Sequence, residues 1–247
     1  MIRKSSTFLF AFLFLFTAAL AFAADGPEKA EKLFKQRENS ALYQDAMLAY
    51  EQYFQKNKPE TADKLFLARA YYYLGDRYAA NKKQAQAAYR LAVKWANDVL
   101  EADPKNVDAR FLKAVSIYRY KQYNDKFTAV DAMKKAREEL AALQLEAPKN
   151  PEPLYMLGRL HRISVDAPMG FKDIAKSREL LDLANKIDPK NPFIMLDLAR
   201  TMAEQGQVQD ARHLLMQPMM DTDTQWDVEY KLESEAAKDF LKSLRSK

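Results

Sequence analysis

The chain writes nearly the same phrase three times: DPKNV at 103–107, APKNP at 147–151 and DPKNP at 188–192. The prolines of the phrase, Pro104, Pro148 and Pro189, lie 44 and 41 residues apart. A near-regular internal period of this size restricts the fold to an array of similar units. Proline shortly after a helix C-terminus prevents the helix from continuing. The Lys-Asn that follows is polar turn material. Each phrase therefore reads as the end of one helix and the start of the next.

The intervening segments support helices and nothing else. The chain has 5 glycines among 247 residues and no convincing run of alternating β-branched residues. Its prolines cluster between periodic segments, where they do not break helices. The periodicity predicts helices near 28–38, 40–57, 61–79, 82–102, 107–122, 127–146, 151–164, 171–187, 192–205, 208–217 and 225–244.

Small residues recur at fixed offsets from the prolines. Leu154, Leu157 and Gly158 stand 6, 9 and 10 residues after Pro148, and Met195, Leu198 and Ala199 hold the same offsets after Pro189. Ala114 stands 10 after Pro104. Counting backward, Ala92 and Ala96, Ala136 and Leu140, and Ser177 and Leu181 precede their prolines by 12 and 8. This pattern resembles the tetratricopeptide repeat (TPR), a helix–turn–helix of about 34 residues in which Gly or Ala lets helix A pack closely on helix B. The closest agreement runs over 192–218, through Leu198-Ala199, Gly206, Ala211 and Leu215. The resemblance implies an all-α superhelical solenoid of about four to five repeats, near 28–60, 61–106, 107–150, 151–191 and 192–218. A final helix at 225–244 would cap the stack, a role favoured over partner docking because a solenoid end needs a polar outer face.

The units are longer than the repeat, and the surplus is placed between helices A and B, around LGDRYAANKK, YRYKQYNDKF and SVDAPMG. With YYYLGD, MLGRLHR, the stretch PMGFKDIAKSRELLDLANKIDPKNP and LDLARTMAEQGQVQDARHLL, the chain resembles the T-component family associated with tripartite ATP-independent periplasmic (TRAP) transporters. That resemblance implies a solenoid that partners a periplasmic solute-binding subunit. Members are often lipid-anchored; this chain has no cysteine to carry a lipid.

The N-terminus reads as an export signal. Arg3 and Lys4 precede the apolar run FLFAFLFLFTAALAF, and Ala21-Phe22-Ala23 supplies a cleavage site after Ala23, with a cut after Ala21 as the rival. The run of 15 residues is shorter than the roughly 20 needed to span a bilayer. Residues 1–23 are thus expected to be removed, leaving 24–247 as a periplasmic or secreted helical domain, peripheral to a membrane at most. Loss of Arg3 and Lys4 takes the formal charge from +5 to +3, too mild to imply a nucleic-acid partner.

Chemistry has few anchors here. Without cysteine there is no thiol nucleophile or thiolate metal site. His161 and His213 fall in different repeats, so a zinc site is not expected. His161 replaces a repeat tyrosine and reads as a packed imidazole; His213 reads as solvent-facing. No Gly-x-Ser-x-Gly elbow and no nucleotide glycine motif occurs. No catalytic residue, metal or cofactor is expected.

A binding surface is the remaining expectation. Repeat register places Tyr71, Phe111, Tyr118, Arg119, Tyr155, Arg159, Arg162 and Arg200 on the concave face. Guanidiniums offer a fixed fork for carboxylates and tyrosines offer contact area at low entropic cost. The implied partner is a protein, or a small organic anion. A periplasmic solute-binding subunit and the docked tails of a general envelope scaffold are the two readings.

Overall fold

A computed structural model describes residues 27–37, 39–219 and 225–244. The export signal expected at 1–23 lies outside the described residues. Those residues form α1 (Pro27–Lys35), α2 (Ser40–Lys56), α3 (Thr61–Tyr73), a π-helical turn (Leu74–Tyr78), α4 (Lys82–Leu100), α5 (Val107–Lys121), α6 (Lys126–Glu146), α7 (Pro151–Ile163), α8 (Ile174–Ile187), α9 (Pro192–Glu204), α10 (Val208–Leu215) and α11 (Asp227–Ser243). The all-α architecture expected from the sequence is the one observed. Consecutive helices pair as hairpins α1–α2, α3–α4, α5–α6, α7–α8 and α9–α10, which stack in chain order.

The repeated phrase has a fuller role than turn chemistry. Its asparagine is the N-cap of the next helix. The side chain of Asn106 accepts from the amide of Ala109, that of Asn150 from Glu152 and that of Asn191 from Phe193, each at 3.0 Å. Such a side chain satisfies one of the amides that a helix start leaves unpaired. The same asparagines close the turn through their own amides, which donate to the carbonyls of Asp103, Ala147 and Asp188. Proline therefore occupies the second position of a four-residue turn, where its fixed φ is already correct. Pro151 and Pro192 follow at the first helical positions, where proline has no lost hydrogen bond.

Within hairpins the small residues do what the repeat requires. A Cβ on Gly158 would lie 2.6 Å from Cγ of Leu181 and 3.1 Å from the Ser177 carbonyl. Glycine there sets how closely α7 approaches α8. Ala92, Ala96, Ala136, Ala184, Ala199 and Ala211 are all buried in the same core. Gly206 has φ of 81° and turns α9 into α10, a conformation that a side chain disfavours.

The surplus residues appear in three forms. In the second hairpin they extend helix A through the π-helical turn at Leu74–Tyr78. In the third they lengthen the helices themselves, α6 reaching 21 residues. In the fourth they form a loop at 164–173, tied back by the amide of Phe171 to Ser164 Oγ at 3.1 Å and the amide of Asp173 to the His161 carbonyl at 3.0 Å. In that third unit the two helices keep the bounds expected near 107–122 and 127–146 to within a residue, with a short turn between them.

Two substitutions test this account. Asn150→Ala removes a cap and should lower stability by about 1 kcal/mol. Gly158→Ala drives a methyl group into Leu181 and should cost about 1–3 kcal/mol. Urea denaturation of both variants measures the losses, and an unchanged midpoint for Gly158→Ala would show that α7 and α8 can separate freely.

Candidate functional site

The inner face of the stack is built from the first helix of each hairpin, and it is filled. Arg69 of α3 pairs with Glu152 of α7, its Nη2 donating at 3.0 Å. Tyr73 of α3 packs on Phe193 of α9 with ring centroids 6.1 Å apart. The guanidinium of Arg77 sits 5.2 Å from the Phe193 centroid. Second and fifth hairpins thus meet across the interior. What remains between them is a cavity of about 50 Å³, walled by Tyr72, Tyr73, Phe111, Tyr155 and Phe193 with Arg69, Arg77 and Arg159. That admits a few waters, since a water needs about 10–15 Å³ of such space.

Two charge clusters organise this interior. In the first, Asp76 at the π-helical turn accepts from Arg119 and pairs with Arg77 at 3.1 Å, while Arg77 also pairs with Glu233 of α11. Arg119 further donates to the Tyr89 hydroxyl at 3.1 Å. In the second, Asp197 of α9 is fully buried and receives Arg162 at 2.5 Å, Arg200 at 3.5 Å and Arg159 at 3.6 Å. Arg162 also reaches Glu204 at 3.2 Å, and Arg159 donates to the Tyr155 hydroxyl at 2.9 Å. Burial opposes the charge of both aspartates, but the arginines outweigh it and hold each carboxyl below its ordinary pKa.

The expected site residues separate into two groups. Tyr71, Phe111 and Tyr118 are buried, so their expected exposure on the groove is corrected. Tyr71 turns toward α2, where its hydroxyl donates to Glu51. The run Tyr71-Tyr72-Tyr73 must point three ways, and the second hairpin has neighbours on all of them. Tyr155 lines the cavity and is also buried. Arg119, Arg159, Arg162 and Arg200 do face the interior, but each is held by a carboxylate. Arg200 is the most open, with 35% of its side chain exposed. His161 stacks edge-on against Phe171, with centroids 5.2 Å apart, and burial lowers its pKa. His213 is exposed.

Sequence reasoning expected the last helix as a cap but not its reach across this face. α11 carries a helical stripe, Trp226, Glu229, Tyr230, Glu233 and Ala237, at the i, i+3, i+4, i+7 and i+11 spacing of a packed face. The stripe runs from the last hairpin to the first. Tyr230 packs on Phe193 and its hydroxyl accepts from Asn191 at 3.2 Å. Trp226 packs on Phe34, Phe66 and Tyr73 with centroids 5.7, 5.6 and 5.2 Å away. Glu229 accepts two bonds from Arg37, at 3.0 and 2.5 Å, and one from Tyr78 at 3.3 Å. Lys231, Glu235, Lys238 and Lys242 face water. α11 therefore has the polar outer face of a cap and also spans the array. The signal was available: two glutamates at stripe positions of an otherwise apolar face.

Asp76 and Asp197 give the fold an acid limit. Their depressed pKa values stabilise the native state fully above about pH 4, the ordinary aspartate value, and that contribution disappears as pH falls through the lower native values. Asp197→Asn should lose about 3 kcal/mol near neutrality, since Arg159 and Arg200 lose their carboxylate and Arg162 is left with Glu204. Its remaining stability should fall less steeply than wild type below about pH 4. Urea midpoints between neutrality and strong acid measure both effects, and parallel curves would remove Asp197 from the account.

Comparison with known proteins agrees with this architecture. Residues 169–228 match the family model of the tetratricopeptide repeat. A solved thermophilic TPR protein of Thermus thermophilus superposes with a TM-score of 0.63 at 15% identity, covering 90% of this chain and all of that one. MamA of Desulfovibrio magneticus gives a TM-score of 0.44 at 19% identity, over 87% and 99% of the two chains. PilF of Pseudomonas aeruginosa gives 0.47 at 13%, over 88% and 93%. No curated protein matches by sequence. The chain is thus a solenoid of tetratricopeptide-like hairpins, with the repeat's own sequence signature in its C-terminal part.

Proposed function

We propose that this chain is a non-catalytic binding adaptor of the cell envelope, exported with loss of residues 1–23 and partnering the solute-binding subunit of a TRAP-type transporter. Tetratricopeptide arrays serve as protein-binding scaffolds, and the observation that carries the reading here is the inner rim at Asp197. Three arginines from two neighbouring hairpins converge on that single carboxylate, and Arg200 keeps a third of its surface in water. Guanidinium forks in excess of their carboxylates suit a partner that brings carboxylates of its own. Export is supported by the positive, apolar and small-residue order of the first 23 residues. The transporter partnership is supported by the insertion spacing and motifs that resemble the T-component family.

One observation favours the second reading, a general envelope scaffold that docks peptide segments. The cavity between the second and fifth hairpins is about 50 Å³, below the roughly 300–1,000 Å³ of small-molecule pockets. That cavity beside the arginines thus suits recognition at a protein surface better than sharing of a small organic anion.

The test is a calorimetric titration of the mature chain with the solute-binding subunit from the same organism. Arg159→Ala combined with Arg200→Ala should weaken binding about tenfold or more, while Arg162 keeps Asp197 paired and the helical circular dichroism unchanged. Binding unaffected by the double variant would remove the rim from the site. Absence of binding by wild type would leave the scaffold reading. Intact mass of chain recovered from its own envelope checks cleavage after Ala23.

A further inference from the structure

We propose that the seat of α11 is this chain's recognition site, and that α11 is a resident stand-in for an acidic amphipathic helix of a partner protein. The proposal rests on the adaptor reading above and gives it a site and a ligand chemistry. The seat is formed by Arg37, Tyr78 and Arg77 with Phe34, Phe66 and Phe193, drawn from the first, second and fifth hairpins. No hairpin forms it alone, so it exists only in the assembled array.

The chemistry of the contact separates a stand-in from a plain cap. A plain cap gains most from apolar side chains, because replacing a buried ion pair by well-packed hydrophobic residues is often neutral or stabilising. α11 instead presents Glu229 and Glu233, one turn apart, to Arg37 and Arg77. Arg37 is 1% exposed and Glu229 is fully buried. A buried guanidinium left alone is costly, so the seat rejects an apolar helix and accepts one that restores the carboxylates. Exchange between two such helices leaves every charge paired before and after. Glu229 and Glu233 then return to water, where they are well solvated.

Eleven residues, 216–226, join α10 to α11, and the five stacked hairpins end before them. The array does not pass through α11. Attachment to the same chain raises the effective concentration of α11 at its seat, so a partner helix must bind the seat more tightly than α11 does. The expected ligand carries an aromatic residue followed three and seven positions later by carboxylates, with a polar outer face.

The experiment uses the full mature chain and a fluorescein-labelled peptide of residues 225–244 as probe, followed by anisotropy. Trp226→Ala combined with Glu229→Ala weakens the resident helix without changing a residue of the seat. That variant should bind the probe at least about tenfold more tightly than wild type, and a probe with Glu229→Gln and Glu233→Gln should bind about tenfold more weakly. Equal affinity of variant and wild type, or no binding to either, overturns the proposal. Should the variant lose helical dichroism, hydrogen exchange of wild type decides instead. Amides of α11 exchanging about tenfold faster than those of α9 support a displaceable helix, and a common rate overturns it. A variant that dimerises with concentration by light scattering makes a second copy the occupant and overturns the partner claim. Probe exchange and binding of the solute-binding subunit are separate readouts. Failure of the first leaves the adaptor reading standing, and failure of the second leaves the seat standing.

Discussion

The bridge between Arg37 and Glu229 joins residues 192 apart in sequence and is buried at both ends. It closes the array on itself. Stacked repeats contact only their neighbours, and their stability sums over units and adjacent interfaces. Here α11 carries the last hairpin back to the first, Trp226 wedges between Phe34, Phe66 and Tyr73, and Arg77 reaches Glu233 from the π-helical turn. Long-range contacts of this kind couple the ends of the array, so the first hairpin is held by the last as well as by the second.

Closure explains why the interior is charged yet nearly without space. Helix A of the second to fifth units contributes arginines or tyrosines to the inside, and a tight winding brings them within reach of carboxylates from other units. Asp76 is placed by the π-helical turn, which moves it beneath Arg119 of the next hairpin. Asp197 sits on α9 opposite Arg159 and Arg162 of α7, while Arg200 comes from its own helix. Charged groups at such depth persist only when paired and hydrogen-bonded. The arginines therefore face inward for a structural reason, and what they offer to a partner is confined to the rim.

Local chemistry was legible in the chain. The PKN phrases announced helix boundaries, and the boundaries fell within a few residues because capping and proline geometry act over four or five positions. Gly158 and the alanines at matching offsets announced close packing, because only small residues permit it. The identity of Asn106, Asn150 and Asn191 as caps was also open to reading, since asparagine before a first helical proline is a capping arrangement. Exposure was not legible. Register alone assigned Tyr71, Phe111 and Tyr118 to the groove surface, but a residue's distance from water depends on how tightly the superhelix winds. The surplus run at 118–127 divides as the periodicity indicated, between the end of α5 and the start of α6, with a turn at 122–125.

The sequence by itself determined the helices, their caps, the hairpin pairing and the period of the array, since each follows from contacts within about one repeat. Only the tertiary structure decided that the inner face is closed, that α11 spans it, and that Arg37, Arg77, Arg159 and Arg162 are held by Glu229, Glu233 and Asp197. Those pairings join residues from 35 to 192 positions apart. No local preference encodes such distances. They are set by the small rotation from one hairpin to the next, accumulated over five of them.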